Sequence, residues 1–443
     1  MRPIRNKAIM SIPFSLRILT VTVLLGVSQS CNKDNEEESV TSVSTAPNIL
    51  LIIADDLGKD AISGFPEGTV KANTPNINAL RNEGISFQNL WVYPTCSPTR
   101  ASIITGKYGY RTGVKWANDE LDQSEDILQN FINDRTNNLY ATALIGKWHL
   151  AGSNSSFNPE IFGLDYYSGL IRGAVENYYQ WQLTEDGITE LETEYASEVF
   201  TDLSIDWING QSKPWFLWLA YNAPHTPFHA PPAASHSQGT LAPYADGADP
   251  MPYYMAAIES IDFQMGRILA SIPESELENT VIIFIGDNGT PNQVAQSPYS
   301  SAKAKGTLYQ GGVNVPMFIS GKGVDRSGED SSLISSTDLF ATIAELAGVS
   351  VQEVHDSMSF KSLLSQNGSH RTFQYSEMNN GSTDSWAIRN EEYKLIISAD
   401  GSTEMYDLVN DPYEQNELDI TNLTTDQLNA KAMLEEELAV IRN

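Results

Sequence analysis

The segment with the most evident chemical potential spans residues 94–106 and reads PTCSPTRASIITG. Pro98 suits the first turn of a helix, where a missing N–H is tolerated, and Gly106 suits the residue at which a helix ends. Cys96 is therefore expected just before a helix N-terminus, where unpaired N–H groups attract an anion, with Arg100 facing the same place. The thiol is then either a structural cysteine beside an ordinary helix or a nucleophile in an anion-binding site. The helix start alone does not decide between the two.

Two pairs of side chains with oxygen atoms directly follow continuous apolar runs. They are Asp55 with Asp56, and Asp287 with Asn288. Adjacent carboxylates at the end of a buried strand repel each other unless a cation lies between them. A solvated loop is the alternative, but the residues after Asp56 are more apolar than such a loop usually is. We therefore expect a metal site, whose oxygen ligands suit Ca²⁺ or Mg²⁺ better than zinc.

Cationic and imidazole side chains complete the candidate chemistry. Lys147 and His149 lie in a Gly-Lys-Trp-His run at the end of another apolar stretch, and Lys305 follows the second carboxylate pair. His225 lies in a loop with a proline before it and another two residues after it, which stiffens the loop and fixes where the imidazole points. Lysine and arginine side chains neutralise a bound oxyanion and the charge of its transition state. Singly, such residues near a strand end carry little information.

The apolar runs indicate the elements that position these residues. Residues 47–54, 140–145, 215–221 and 281–286 read as strands buried on both faces of a parallel sheet. Ligands of such sheets bind at the carboxyl ends of the strands, so the polar residues are expected to converge on one edge. The prediction is an α/β fold, in which helices sandwich a large, mixed, mostly parallel sheet. A small C-terminal antiparallel sheet plus a helix follows.

The predicted domains are a catalytic domain at 47–365 and a smaller C-terminal subdomain at 366–443. Residues 153–194 are predicted as long loops over the site. The aromatic residues there either stack on sugar rings or serve as packing residues, and the sequence leaves both open.

Taken together, these motifs resemble one family. Cys-x-Pro-x-Arg followed by Ala-Ser and a glycine is similar to the signature of type I sulfatases, the formylglycine-dependent ones of the alkaline-phosphatase-like superfamily. Asp-Asp, Gly-Lys-Trp-His and Gly-Asp-Asn-Gly follow in the family's order, and the resemblance extends from Pro47 to about Leu418. Gln310 and Asn314 depart from the pattern, in which Glu-Gly-Gly and a nearby arginine are usual. Because of this departure, the resemblance does not predict the residues of the substrate pocket.

The resemblance implies a role for each residue. Cys96 would be oxidised by a sulfatase-maturating enzyme to formylglycine, whose hydrate attacks sulfur with help from the metal and Asp287. His225 and Lys305 would bind the sulfate and help to protonate the leaving oxygen, and His149 would take a proton from the second hydroxyl. The remaining implied roles are sulfate and formylglycine binding by Arg100 and Lys147, and metal binding by Asp55, Asp56, Cys96, Asp287 and Asn288.

Charge and the N-terminus bear on partners and location. The chain has 27 Lys and Arg against 56 Asp and Glu, a net charge of −29, which argues against nucleic acid as a partner. Residues 1–30 read as a signal peptide, whose apolar run at 18–27 is too short to be a membrane span. Cys31 resembles the lipidated cysteine of exported Bacteroidetes lipoproteins, followed by an acidic tether at 31–46. We expect a membrane-anchored protein on the cell surface or in the periplasm; plain secretion after cleavage near Ser30 is the alternative.

The function expected from the resemblance is hydrolysis of sulfate esters on a carbohydrate, such as a marine algal polysaccharide or its oligosaccharides. One alternative is a phosphonate monoester or phosphodiester hydrolase of the same superfamily, which shares the formylglycine motif. The other is a surface glycan-binding protein on an inactive scaffold. That alternative requires a lost catalytic residue, and none is missing from the motifs.

Overall fold

The computed structural model describes residues 46–443. The predicted signal peptide, the lipidated Cys31 and all but the last residue of the predicted tether lie outside the described residues. The strands are β1 (Asn48–Ala54), β2 (Ile85–Trp91), β3 (Ala141–Lys147), β4 (Tyr166–Leu170), β5 (Trp181–Glu185), β6 (Ile188–Glu192), β7 (Trp215–Tyr221), β8 (Thr280–Gly286), β9 (Asn314–Gly321), β10 (Gly328–Ser335), β11 (Glu353–Val354), β12 (Ser357–Met358), β13 (Gln374–Asn379), β14 (Asp384–Arg389), β15 (Tyr393–Ser398) and β16 (Thr403–Asp407). The helices are α1 (Pro75–Glu83), α2 (Cys96–Thr105), α3 (Gly109–Thr112), α4 (Leu128–Thr136), α5 (Ala196–Asn209), α6 (Met251–Ser271), α7 (Glu274–Leu277), α8 (Gln310–Val313), α9 (Asp338–Leu346) and α10 (Thr425–Arg442).

One large sheet organises the part of the chain that the structure describes. Its ten strands run in the order β10-β2-β9-β8-β1-β7-β3-β4-β5-β6. The five strands from β8 to β4 are parallel, and β9 and the β5–β6 hairpin are antiparallel to their neighbours. The predicted mixed, mostly parallel sheet is confirmed, and all four predicted buried strands are central.

The central strands are apolar throughout because helices cover both faces of the sheet. Ile49, Leu51 and Ile53 of β1 belong to the core shared with α2, α4 and α9. The alternate residues Leu50 and Ile52 belong to the core shared with α1, α5 and α6. Full burial of each such side chain contributes about 1.5–3 kcal/mol to folding stability, so residues at the ends of these strands are held by a well-packed core.

The segment 153–194 differs from the prediction. It contains β4, which extends the parallel sheet beside β3, and the β5–β6 hairpin beyond it. Tyr167, Tyr178 and Trp181 are buried, so these rings are packing residues. Strand β6 is largely exposed, which removes the apolar alternation by which a strand is recognised in sequence.

The C-terminal residues form a four-stranded antiparallel sheet, β13-β14-β15-β16, as predicted. Ala430, Leu434 and Leu438 of α10 pack on it. β13 and β10 were not predicted. The boundary at 365/366 stays a prediction. No helix in residues 46–443 is long and apolar enough to cross a membrane.

Candidate active site

The parallel strands deliver the candidate residues to one edge of the sheet. Asp55 and Asp56 follow β1, Lys147 ends β3 with His149 two residues later, and Asp287 follows β8. All five are at least 95% buried. The hydrogen bonds between neighbouring parallel strands fix the position of each strand's last residue. Polar residues that follow different apolar runs in the sequence therefore lie close together at this edge.

Helix α2 brings Cys96 to this edge. Thr95 precedes the helix in an extended conformation, and Gly106 ends it with a φ of 67°, where a glycine carries no Cβ penalty. Cys96 is the first residue of the helix rather than the residue before it, and all ten helix residues are buried. Burial raises the pKa of the Cys96 thiol. The thiol is therefore protonated at neutral pH and a weak nucleophile.

His149 lies against this thiol. Its Nδ1 is 3.1 Å from Cys96 Sγ, and its Nε2 is 3.0 Å from Asn118 Oδ1. Because Asn118 Oδ1 accepts the Nε2 proton, Nδ1 is the unprotonated nitrogen and faces residue 96. Burial, followed by the charges of Lys147 and Arg100, lowers the pKa of His149 well below its usual range. A neutral imidazole in this position can accept a proton from the side chain at position 96.

Arg100 faces the carboxylate edge of the site. Its Nε and Nη2 donate to Asp287 Oδ2 at 3.1 and 2.7 Å, and its Nη1 donates to the Lys147 carbonyl at 2.9 Å. Asp287 Oδ1 in turn accepts the backbone N–H of Asp56 at 3.0 Å. The guanidinium therefore ties α2 to the ends of β1, β3 and β8, and it does not line the cleft described below.

The oxygen atoms of the cluster fit a divalent cation. One ligand atom each from Asp55, Asp56 and His225 lies within 4.8 Å of the others. Asp55 Oδ1 and Asn288 Oδ1 are buried without a hydrogen-bond partner. Burial, and then the charge of Asp287, raises the pKa of Asp55, and a cation bound beside this carboxylate would favour its ionised form. A hard cation suits the oxygen atoms of this set, whereas the His225 nitrogen was not among the predicted ligands and is a softer donor.

Two lysines pair with the carboxylate pair after β1. Lys147 Nζ donates to Asp55 Oδ2, and Lys305 Nζ donates to Asp56 Oδ2 at 2.6 Å. His225 Nε2 is 3.8 Å from the same Asp56 oxygen, and His225 Nδ1 lies 2.7 Å from the Thr226 carbonyl. Burial, with Lys305 and Lys147, lowers the pKa of His225 to about 4, so the imidazole is neutral at pH 7.

A cleft of about 990 Å³ opens onto this cluster. Cys96, His149, His225 and Lys305 line its floor. Segment 170–177 and the β5–β6 hairpin supply its wall. The structure thus places Cys96, the two imidazoles and one lysine where a molecule from solvent can reach them.

Three residues of the site were missed in the sequence. Asn118 orients His149. Tyr178 donates to the carbonyls of Asn222 and His225 at 2.7 and 2.6 Å and so holds the imidazole loop. Gly173 leaves room for His149, since a Cβ there would lie 2.2 Å from the ring. Each of these residues acts through a contact between segments that are distant in the sequence, so no local sequence pattern predicts its role.

The two departures from the family pattern lie away from the cleft. Gln310 and Asn314 line a separate cavity of about 180 Å³ together with Lys59 and Arg389. Gln310 Oε1 accepts the Trp91 indole N–H at 3.1 Å. The departures therefore do not alter the pocket around Cys96.

Comparison with known proteins agrees with this arrangement. The uncharacterized sulfatase YdeN of Escherichia coli (strain K12) is 27% identical over 368 residues, 70% of this chain and 64% of the relative, so the chain spans less than two thirds of its length. The structure of Ps i-CgsB with k-i-k-neocarrahexaose superposes with a TM-score of 0.74 at 25% identity, covering 89% of this chain and 93% of the other. BT4656, solved with its substrate D-glucosamine-2-N,6-O-disulfate, has the same fold, with a TM-score of 0.73 at 20% identity over 90% and 98% of the two chains.

Two family models match the sequence. The model for the C-terminal part of N-sulphoglucosamine sulphohydrolase matches residues 303–443. The sulfatase model matches residues 47–349, more than half of the chain, and the chain therefore belongs to the sulfatase family.

Proposed function

We propose that this protein hydrolyses sulfate esters of a carbohydrate, with formylglycine at position 96 and a divalent cation in the carboxylate cluster. The observation that carries the proposal is the position of Cys96 on the cleft floor, 3.1 Å from an unprotonated His149 nitrogen and beside buried lysines. The protonated thiol itself is poorly suited to attack. Formylglycine would supply in its place a hydrated aldehyde whose hydroxyl is the nucleophile.

The residues of the chain divide the remaining work. Lys305 and Lys147 place two cationic groups beside the cluster, where they would offset the charge of the sulfate oxygens. Lys305 would also protonate the leaving oxygen, because the neighbouring His225 is neutral and its Nδ1–H points at the Thr226 carbonyl. His149 Nδ1 would accept the proton of the group at position 96.

The carboxylate cluster would hold the cation through Asp55, Asp56, Asp287 and Asn288. Its oxygen donors suit Ca²⁺, with Mg²⁺ as the alternative. The cation would polarise the sulfate oxygens and the nucleophile, as bound metals do in hydrolytic sites. Arg100 holds Asp287 in place through two hydrogen bonds to its Oδ2.

We propose that the sulfate ester is on a carbohydrate because the cleft wall is lined by neutral polar side chains. Gln180, Gln182, Thr184 and Thr189 line it, and neutral polar side chains of this kind suit hydroxyl groups. Ps i-CgsB was solved with a carrageenan oligosaccharide, which supports a sulfated polysaccharide or its fragments as substrate.

Two measurements test the proposal. Mass spectrometry of the peptide that holds Cys96, from protein made in its native host, should show a loss of about 18 Da, the difference between a thiol and an aldehyde. The protein should release sulfate from a sulfated oligosaccharide, and Cys96→Ala should release none. A faster rate on a phosphodiester than on a sulfate ester would favour the phosphodiester hydrolase instead. An unmodified thiol with intact glycan binding would favour a binding protein.

We further propose export and lipid anchoring through Cys31, on the sequence motif alone. Labelling with a radioactive fatty acid, compared between the wild type and Cys31→Ser, tests it. Equal labelling of both proteins would contradict it.

A further inference from the structure

Arg172 differs from the other arginines of residues 46–443. It lies on the cleft wall two residues after β4 ends and is exposed. In this part of the chain it is the arginine whose guanidinium has no hydrogen bond, ion pair or ring contact. An arginine side chain presents five N–H donors in a planar fork that matches a carboxylate or sulfate. Arg172 therefore keeps its full donor set for a molecule in the cleft.

The position of Arg172 is fixed relative to the reactive group. The carbonyl of Ile171 accepts the His149 backbone N–H at 3.1 Å, and the Leu170 carbonyl accepts that of Trp148 at 2.9 Å. On its other side, Gly173 lies so close to the imidazole that a Cβ would be 2.2 Å from His149 Nε2. The backbone that carries Arg172 is therefore held against His149 on both sides, next to Cys96.

Charge in the cleft is sparse beyond its floor. Apart from Lys305, which is paired with Asp56, Arg172 is the only lysine or arginine among the described residues that line the cleft. Glu176 also lines the cleft and forms no ion pair with Arg172. On a chain of net charge −29, one unpaired cation in a mostly neutral wall is a local attraction for one anionic group.

We propose that Arg172 binds a second anionic substituent of the substrate, a sulfate or a carboxylate, on the sugar that carries the scissile ester or on its neighbour. The assignment rests on the proposed function. With one free cation, the cleft selects a glycan that carries one further anion near the scissile group, and it has no cationic track for a heavily sulfated chain.

The test compares binding of glycans that differ by one sulfate. The protein carries Cys96→Ser to prevent turnover. The ligands are carrageenan oligosaccharides with one or two sulfates per disaccharide, and glucosamine 6-sulfate against glucosamine 2-N,6-O-disulfate. Arg172→Gln should weaken binding of the doubly sulfated member by about 10- to 100-fold, the cost of a lost charge-assisted hydrogen bond, and change binding of the singly sulfated member by less than about twofold.

A charge-matched control comes from Lys322→Gln, which removes an exposed cation outside the cleft and should change neither affinity. Arg172→Lys keeps the charge but loses the planar fork, so it should give an intermediate loss. Equal losses on both ligands of a pair, a matching loss in Lys322→Gln, or no binding of any of the four ligands would overturn the proposal.

The outcome is separable from that of the proposed function. Sulfate release by the mature enzyme, without selective loss in Arg172→Gln, overturns only the role of Arg172. Selective binding through Arg172 in a protein that releases no sulfate overturns the proposed function and leaves the binding assignment in place.

Discussion

Replacement of Gly173 by alanine tests the packing around His149 directly. The added Cβ would lie 2.2 Å from His149 Nε2, whereas ordinary contacts begin at 3.4 Å. The imidazole or the segment must therefore move by about 1 Å, and a misplacement of this size near reacting groups costs about 100-fold in rate. We expect kcat/KM for sulfate release to fall by about 100-fold, which corresponds to about 2.7 kcal/mol of transition-state stabilisation.

The variant should still fold, with a small decrease in melting temperature. Overpacking costs about 1–3 kcal/mol, which lowers the Tm of a domain of this size by only a few degrees. Gly210→Ala is the matched control, because its φ is also outside the left-handed region and its Cβ would meet neighbours at 3.4 Å or more. Its activity should equal that of the wild type. A Gly173→Ala enzyme that keeps kcat/KM within twofold would refute the assignment of His149 and the contact that positions it.

Three further predictions concern the frame around the site. Asp338 is fully buried, and burial raises the pKa of its carboxyl, but Arg371 and then His370 outweigh that effect and hold the pKa at about 2. Asp338→Asn removes this buried ion pair, so it should cost about 3–5 kcal/mol of folding free energy and lower Tm by about 4–6 °C near pH 7. The pKa is lower than in the unfolded chain, so this difference should persist above pH 4 and shrink as pH falls toward 2. Chelation of divalent cations should lower Tm by about 3 °C, the effect of losing a ligand present at 100 times its Kd, and re-addition of Ca²⁺ should restore it. Asn118→Ala should lower kcat by about 10- to 100-fold through the lost hydrogen bond to His149, with little change in KM.

Each of these has a result that contradicts it. A constant difference in Tm between Asp338→Asn and wild type from pH 7 to pH 2 would exclude the ion pair as its cause. An unchanged Tm after chelation would remove the metal from the carboxylate cluster. A rise in KM with normal kcat in Asn118→Ala would show that Asn118 binds substrate instead of orienting the imidazole. For this last variant, Asn137→Ala, in an exposed helix end, serves as the control.

The cluster at the sheet edge was predictable from the sequence because buried parallel strands are continuous apolar runs. Once β1, β3, β7 and β8 were recognised, the residues at their ends followed from the geometry of such sheets. The runs end at Asp55, Lys147 and Asp287. In the structure, Lys147 Nζ donates to Asp55, and Arg100 donates to the Asp287 carboxylate and to the Lys147 carbonyl. Their roles in the reaction stay predictions.

Residues 153–194 were predicted as loops over the site, and part of this segment does form the cleft wall, but its strands and two contacts to His149 were not predicted, for different reasons. The hairpin of β5 and β6 did carry a signal, since Asp186 and Gly187 join two runs and both have positive φ, as two-residue hairpin turns require. A turn signal predicts a hairpin only between two recognisable strands, and the exposed strand β6 lacks an alternating apolar pattern. Asn118 and Gly173 carry no local signal at all, because their importance comes from contact with His149, which only the tertiary fold creates.

The β5–β6 hairpin forms one lateral edge of the large sheet. The cluster around Cys96 lies instead at the carboxyl ends of the central strands of that sheet. The cluster and the hairpin part of the cleft wall are thus built on separate parts of one sheet. Evolution can lengthen, shorten or replace such a terminal hairpin without disturbing the register of β1, β7 and β8. A hairpin grafted from a relative at this end of the sheet would change the cleft wall and leave the cluster around Cys96 in place.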